Sequence, residues 1–178
     1  MQISSSKTRD QFPLSTKKII KKTIANTLAL TIVFLVILVI LIVALNAGAA
    51  TPAAVSITAF AFIGFIALYV FLTFLYQKWY FAFYFYDLTG DFIVIRKAPI
   101  TPREITIPYE RVQDVYVDQD LLDRFLGLYD VHLSSATITS GMEAHIDGVE
   151  KEAADGLRKT LLDTVQQKIS RNRNQNAP

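Results

Sequence analysis

The sequence predicts a two-helix transmembrane hairpin followed by an α+β domain, made of bent antiparallel sheets and capped by a C-terminal helix. Three observations carry this prediction. Two long apolar runs lie near the N-terminus, short strand-like segments separated by turn signals follow them, and the last segment has helical periodicity. With 178 residues, the chain is long enough for the hairpin and for one small domain with its own core.

The apolar runs occupy residues 23–45 and 53–76, and neither contains Lys, Arg, Asp, Glu or His. At about 1.5 Å per helical residue, each run is long enough for the roughly 30 Å hydrocarbon core of a bilayer. The link between them holds the helix breakers Gly48 and Pro52. Residues 23–76 are therefore predicted to form a helical hairpin in the lipid bilayer, and its lack of ionisable residues argues against a transport path.

Charge placement gives the expected orientation. Residues 1–22 hold six Lys or Arg and one Asp, and Lys78 follows the second run. By the positive-inside rule, both termini lie in the cytoplasm of a multi-pass inner-membrane protein. The alternative is a signal peptide over residues 17–49, because Ala47-Gly48-Ala49 fits a cleavage pattern. The apolar run is longer than signal peptides use, which favours an uncleaved anchor.

The leader, residues 1–22, is polar and then basic. Its start is expected to be disordered. The basic residues at the membrane boundary have two interpretations, a plain topology signal or a contact with anionic lipid headgroups. The headgroup candidates are Lys17, Lys18, Lys21, Lys22 and Lys78.

The remainder of the chain is acidic. Residues 79–178 hold 11 Lys or Arg and 15 Asp or Glu. Nucleic-acid-binding domains usually carry a basic surface, so this balance argues against nucleic acid as a partner. The chain has no cysteine, which excludes disulfides and thiolate chemistry.

Residues 79–169 are predicted to form the folded domain. Phenylalanines recur at every second position from Phe81 to Phe85, and this period of two predicts a strand that begins almost at the membrane surface. Residues 136–138 are a further candidate for a short strand. The other predicted strands lie at 92–97, 103–107, 112–117, 128–134 and 142–146.

Two helical segments complete this domain. Asp120 is expected to cap a short turn that ends at Gly127. Asp147 and Glu150 have the spacing of a capping box, which predicts a helix over residues 149–169 with one apolar stripe. The polar tail, residues 170–178, is expected to fray.

The order of the motifs over residues 107–137 resembles the bacterial pleckstrin-homology (PH) domain family, and in particular its YdbS-like group. The motifs are Ile-Pro at 107–108, Arg-Val-Gln-Asp-Val at 111–115, Leu-Leu-x-Arg-x-Leu-Gly-Leu at 121–128 and Val-x-Leu at 131–133. Two membrane spans directly before the domain are also the family's usual layout. The positions that match the family pattern are Gly90, Pro108, Arg111, Gln113, Asp114, Arg124, Gly127 and Gly148.

The resemblance implies a PH-like fold with two near-orthogonal sheets, seven strands and a C-terminal helix that closes one end. It implies little chemistry, since members are membrane-anchored interaction domains. PH domains that bind phosphoinositides use Lys or Arg near the first strand–strand loop. Here that loop, residues 87–91, is acidic, and only Arg96 and Lys97 lie nearby. These two residues complete the set of headgroup candidates.

No catalytic, cofactor-binding or metal residue is expected. His132 and His145 occupy the polar positions of predicted strands, and a metal site with Glu143 or Asp130 would require those strands to be neighbours. The hydroxyl residues at 134–140 lack a nucleophile motif or an adjacent base. The acidic group lacks calcium-loop spacing and consists of Asp114, Asp118, Asp120 and Asp123.

The sequence therefore favours a non-enzymatic interaction domain held at the inner membrane face. Its partner is expected to be another membrane protein or a second copy of the chain. Binding of anionic lipid headgroups is the alternative, and a hydrolase with an unrecognised Ser/His pair is a third hypothesis.

Overall fold

The computed structural model describes residues 6–135, apart from 49 and 98, and residues 144–175. The chain divides into two compact units. One unit is Ile19–Lys78, and the other combines the described residues of the first eighteen positions with those from Trp79 onwards.

The first unit contains most of two long helices, α2 and α3, at Lys17–Ala47 and Pro52–Phe83. Both are long and apolar enough to cross a membrane. The ring of Phe34 meets two rings of α3 edge-on, Phe65 at 5.5 Å and Tyr69 at 6.3 Å between centroids. The Tyr69 hydroxyl also donates to the carbonyl of Asn26 at 3.3 Å. The two apolar runs therefore pack as the predicted hairpin.

The second unit contains two three-stranded antiparallel sheets, in the orders β1-β2-β3 and β4-β5-β6. This is the predicted PH-like α+β fold, and the sheets do not close into a barrel. Six strands lie among the described residues, whereas seven were expected, and the candidate strand at 136–138 lies outside them. The strands are β1 Phe85–Leu88, β2 Phe92–Lys97, β3 Arg103–Pro108, β4 Val112–Asp118, β5 Leu128–Ser135 and β6 Ala144–Glu150.

The C-terminal helix, α5 at Lys151–Gln175, packs against the sheet of β4, β5 and β6. Its inward side chains Leu157, Leu161 and Val165 are buried and recur every four residues, as the predicted apolar stripe requires. They join a core supplied by both sheets. The tail expected to fray from residue 170 is helical through Gln175.

Two boundaries differ from the predicted ones. Helix α3 continues to Phe83, so the first strand starts at Phe85 rather than Phe81. Aromatic residues four apart also pair on a helix, and Trp79 and Phe83 do so at 6.0 Å. The capping box predicted at Asp147 and Glu150 is wrong, because both residues belong to β6.

The leader also differs from the expectation. Residues Lys7–Gln11 form a short helix, α1, and Leu14 makes an antiparallel bridge with Val149 of β6. Phe12 and Leu14 are buried in the domain core. The expected disorder is therefore wrong for residues 6–18, which fold with the domain.

The short helix α4, Leu121–Leu126, has the predicted caps. The Asp120 carboxylate accepts from the amide of Asp123 at 2.7 Å, and the Asp123 carboxylate accepts from the amide of Asp120 at 3.2 Å. Gly127 ends the helix in the left-handed region, at φ 68°. A Cβ added at Gly127 would meet no heavy atom within 4 Å, so only its backbone conformation demands glycine.

Gly127→Ala should therefore lower the free energy of unfolding by about 1–2 kcal/mol, because an L side chain is strained at positive φ. The matched control is Gly90→Ala, which also has open space around a Cβ but no positive φ. Denaturant titrations of both full-length variants in detergent, followed by circular dichroism, test this. Equal losses in the two variants would contradict the role assigned to Gly127.

Candidate functional site

The N-terminal arm, defined as residues 6–16, leads directly into a buried ion pair. Lys18 is 2% exposed, and its Nζ lies 2.8 Å from Oδ1 of Asp147. The same Nζ lies 3.4 Å from the centroid of the Tyr84 ring. An ammonium removed from water is costly unless it is paired, and here a carboxylate and an aromatic face both compensate it.

Tyr84 completes this cluster. It is fully buried, and its hydroxyl donates to the carbonyl of His145 at 2.9 Å. Burial, and next the charge of Asp147, raise the pKa of Tyr84 well above its usual value. The phenol therefore stays protonated and acts as a hydrogen-bond donor rather than as a base.

Gly148 provides the space that this cluster needs. Its φ is +79°, and an added Cβ would lie 2.7–2.8 Å from the side-chain carbons of Lys18. Its carbonyl accepts from the amide of Ser15 at 2.9 Å, and its amide donates to Asp130 at 2.8 Å. The family-pattern glycine therefore serves both the backbone turn and the close approach of the arm.

The start of the arm is held on β1. Ser6 Oγ lies 2.7 Å from the carbonyl oxygen of Tyr86 and 2.8 Å from Oδ1 of Asp87. Thr8 Oγ1 accepts from the amide of Leu88 at 3.0 Å. Burial opposes ionisation of Asp87, but the hydrogen bonds from Ser6 and Thr8 outweigh it and lower the carboxyl pKa.

Phe12 packs against α5 at Gly156. Its ring lies over Gly156, where an added Cβ would come within 2.5 Å of Cε1 of Phe12. The Tyr86 hydroxyl donates to the Phe12 carbonyl. The arm is thus fixed at both ends and in the middle by groups of the domain.

The headgroup candidates differ in their surroundings. The Lys18 ammonium is engaged by Asp147, so it is not presented to a lipid. Lys17 is half-exposed and lies 3.5 Å from Glu150. The Arg96 guanidinium binds Glu104 through Nε at 2.8 Å and Nη2 at 2.6 Å. Lys21 and Lys22 lie in α2, Lys78 lies in α3, and Lys97 ends β2 near the Tyr84 ring.

Several residues that match the family pattern lie where a strand ends, shifts register or bends. Pro108 ends β3, and Gln113 lies at an irregularity between β4 and β5, where the register shifts. Gly90 lies in the bend between β1 and β2. The remaining charged members are exposed, namely Arg111, Asp114 and Arg124.

The two histidines do lie on neighbouring strands. His132 pairs directly with His145, and their rings stack at 5.3 Å. The His132 ring also stacks on Tyr116 at 4.9 Å, and its Nε2 lies 3.1 Å from Asp118 Oδ1. His132 lies on the face of β5 opposite the buried Val131 and Leu133, and its side chain is 13% exposed.

Three donors could approach a cation here. Ligand atoms of Asp118, Asp130 and His132 lie within 4.8 Å of one another. One Asp130 oxygen already accepts from the amide of Gly148, and Asp118 is exposed. The metal partner considered with them in the sequence, Glu143, lies outside the described residues. The group has the donor types of a metal site but too few ligands to define one.

One surface feature was missed in the sequence. Leu121 and Phe125 of α4 are 75% and 87% exposed. They are four residues apart and therefore share one face of the helix. Sequence reasoning treated them only as part of a turn motif, although two large apolar residues at this spacing, outside the helix's capping contacts, already suggest an unpartnered face.

Comparison with known proteins identifies the domain type. A family model described as "Bacterial PH domain" matches residues 19–165. No curated protein and no solved structure matches the chain. The match begins after Lys18, so the N-terminal arm lies outside the matched residues.

Lys18→Met should lower the free energy of unfolding by about 3–5 kcal/mol, because it leaves the buried Asp147 carboxylate without its countercharge. The matched control is Lys17→Met, which removes only an exposed pair and should cost less than about 1 kcal/mol. Denaturant titration of the full chain in detergent measures both. The double variant Lys18→Met/Asp147→Asn should recover part of the loss.

Equal unfolding free energies for Lys18→Met and Lys17→Met would show that the buried pair does not hold the arm. A double variant that is less stable than Lys18→Met would contradict the pairing itself.

Proposed function

The chain belongs to the bacterial PH domain family, and from this membership we propose that it is a non-enzymatic, two-span membrane protein whose domain binds a protein. The partner is another membrane protein or a second copy of the chain, and it is bound at the cytoplasmic face of the inner membrane. The multi-pass anchor is supported by the two long apolar helices. The orientation is supported by the basic residues that flank them.

The exposed face of α4 is the observation that carries the proposal. Two large apolar side chains are presented side by side to water, and Arg124 lies between them in sequence. Aromatic and Arg residues are the usual anchors of protein interfaces. The face is rigidly held, since α4 is capped at both ends.

In-membrane photocrosslinking tests this proposal. Full-length protein carrying p-benzoylphenylalanine in place of Phe125 should give a covalent adduct in intact membranes, because the ring lies in the interface. The matched control carries the same group in place of Arg158, which is exposed on α5. The adduct should weaken at least severalfold when Leu121→Asp is added. Recovery of the monomer alone from both positions would count against a protein partner.

Binding of anionic headgroups is the second candidate. It is favoured by the position of Arg96, which pairs with Phe85 at the start of β1, directly after α3 ends. Lys97 lies next to it at the end of β2. Two cations at this end of the sheet are suited to a phosphate group. The pairing of Arg96 with Glu104 and the acidic loop at residues 87–91 weigh against it.

Binding of a soluble, short-chain phosphatidylglycerol to the full chain in neutral detergent distinguishes this candidate. Arg96→Gln/Lys97→Gln should weaken binding about tenfold if these residues hold the phosphate. Lys151→Gln/Arg158→Gln removes two exposed charges elsewhere and serves as the control. Equal binding of short-chain phosphatidylglycerol and phosphatidylcholine would rule the candidate out.

A further inference from the structure

The N-terminal arm lies in a groove formed between an edge strand and a helix. Among the residues that the structure describes, strand β6 is at the edge of its sheet, and α5 follows it directly. Leu14 bridges Val149 antiparallel, and the Ser15 amide donates to the carbonyl of Gly148. An extended segment that adds to a sheet edge and seats alternate side chains is a known mode of peptide recognition.

The groove has the features of a built site for such a segment. Glycine at position 156 leaves room for the Phe12 ring on α5. The Tyr86 hydroxyl donates to the carbonyl of Phe12. Ser15 Oγ lies 3.1 Å from Glu150 Oε1. An aromatic ring, a backbone carbonyl and a hydroxyl of the bound segment therefore each have a dedicated contact.

The segment in the groove precedes the residues that the family model matches. The family match starts at residue 19, whereas the β6 and Gly156 positions lie inside it. Between the arm and β6, the described backbone contacts are the Leu14–Val149 bridge and the hydrogen bond from the Ser15 amide to the carbonyl of Gly148. An open cleft of about 540 Å³ lies beside the arm and is lined by residues 11–16 with Glu150, Glu152 and Ala153. Longer side chains than those of the arm would fit there.

We propose that the groove between β6 and α5 is a binding site for an extended segment of a partner protein, and that the arm occupies it in cis. This rests on the proposed protein-binding function and names the chemistry of its partner. The segment carries an aromatic residue, an aliphatic residue two positions later and a basic residue shortly after. Phe12 and Leu14 show the apolar spacing, and Glu150 and Glu152 provide the acidic complement to the basic residue.

While the arm lies in the groove, a competing segment cannot bind. The apparent affinity for that segment is therefore the intrinsic affinity multiplied by the fraction of molecules whose groove is empty. Loosening the arm should therefore expose the site. In Phe12→Ala/Leu14→Ala, the arm loses its two buried side chains while the groove is unchanged. The probe is a fluorescent synthetic peptide with the sequence of residues 6–18, added to the full chain in detergent.

The expected result is that the Phe12→Ala/Leu14→Ala protein binds this peptide at least about tenfold more tightly than the unaltered protein. The same peptide with both apolar residues replaced by Ala should not bind. Adding Gly156→Leu to the loosened protein should abolish binding, because the new side chain takes the space of the aromatic ring. Failure of the loosened protein to bind better than the unaltered one would overturn the proposal.

A disulfide lock provides a second, reversible test. The chain has no cysteine, so Leu14→Cys/Val149→Cys introduces the only pair, at two residues that bridge. Oxidised protein should not bind the peptide, and reduction should restore binding. Equal binding in both states would overturn the site. Covalent dimers in place of a closed monomer would overturn occupation in cis.

The photocrosslinking at Phe125 probes α4 and not this groove, so the two tests fail separately. An adduct at Phe125 without peptide binding would leave the protein partner in place and remove the groove as its site. Peptide binding without that adduct would leave the groove in place as a binding site and remove α4 as the contact surface.

Discussion

The buried contact between Lys18 and Asp147 is the constraint on which the rest of the domain depends. An ammonium and a carboxylate have been removed from water together, beneath the ring of Tyr84. Such a pair is tolerated only when its geometry is fixed. The fixed geometry in turn requires glycine at 148, and it places Ser15 within reach of β6. The end of the arm and the last strand are therefore specified by one interaction.

The contact between Lys18 and Asp147 also holds the arm against the domain core. Residues 6–18 lie before the residues that the family model matches, yet they contribute Phe12 and Leu14 to the core. The exposed face of α4 lies on another element and is a separate surface.

Much of the fold could be predicted from the sequence, because it depends on local patterns. The apolar runs, the caps of α4 at Asp120 and Gly127, and the stripe of α5 each follow from spacing within a few residues. The buried pair of Lys18 and Asp147 could not be predicted, because the two residues are far apart in sequence and each has a common local explanation. Lys18 belongs to a basic run before a membrane span, and Asp147 has the spacing of a helix cap. Only the chain's fold brings them together. The leader was misjudged for the same reason, since Phe12 and Leu14 are isolated apolar residues in a polar segment.

Hydrogen exchange of the backbone amides in the full-length protein tests the central claim, that the arm is part of the folded domain. The amide of Ser15, which donates to Gly148, and that of Phe12, which donates to Thr8, should exchange much more slowly than in a free peptide of the same sequence. Lys18→Met should bring both rates close to the free-peptide values. Exchange of the Ser15 amide in the unaltered protein at the free-peptide rate would contradict the account.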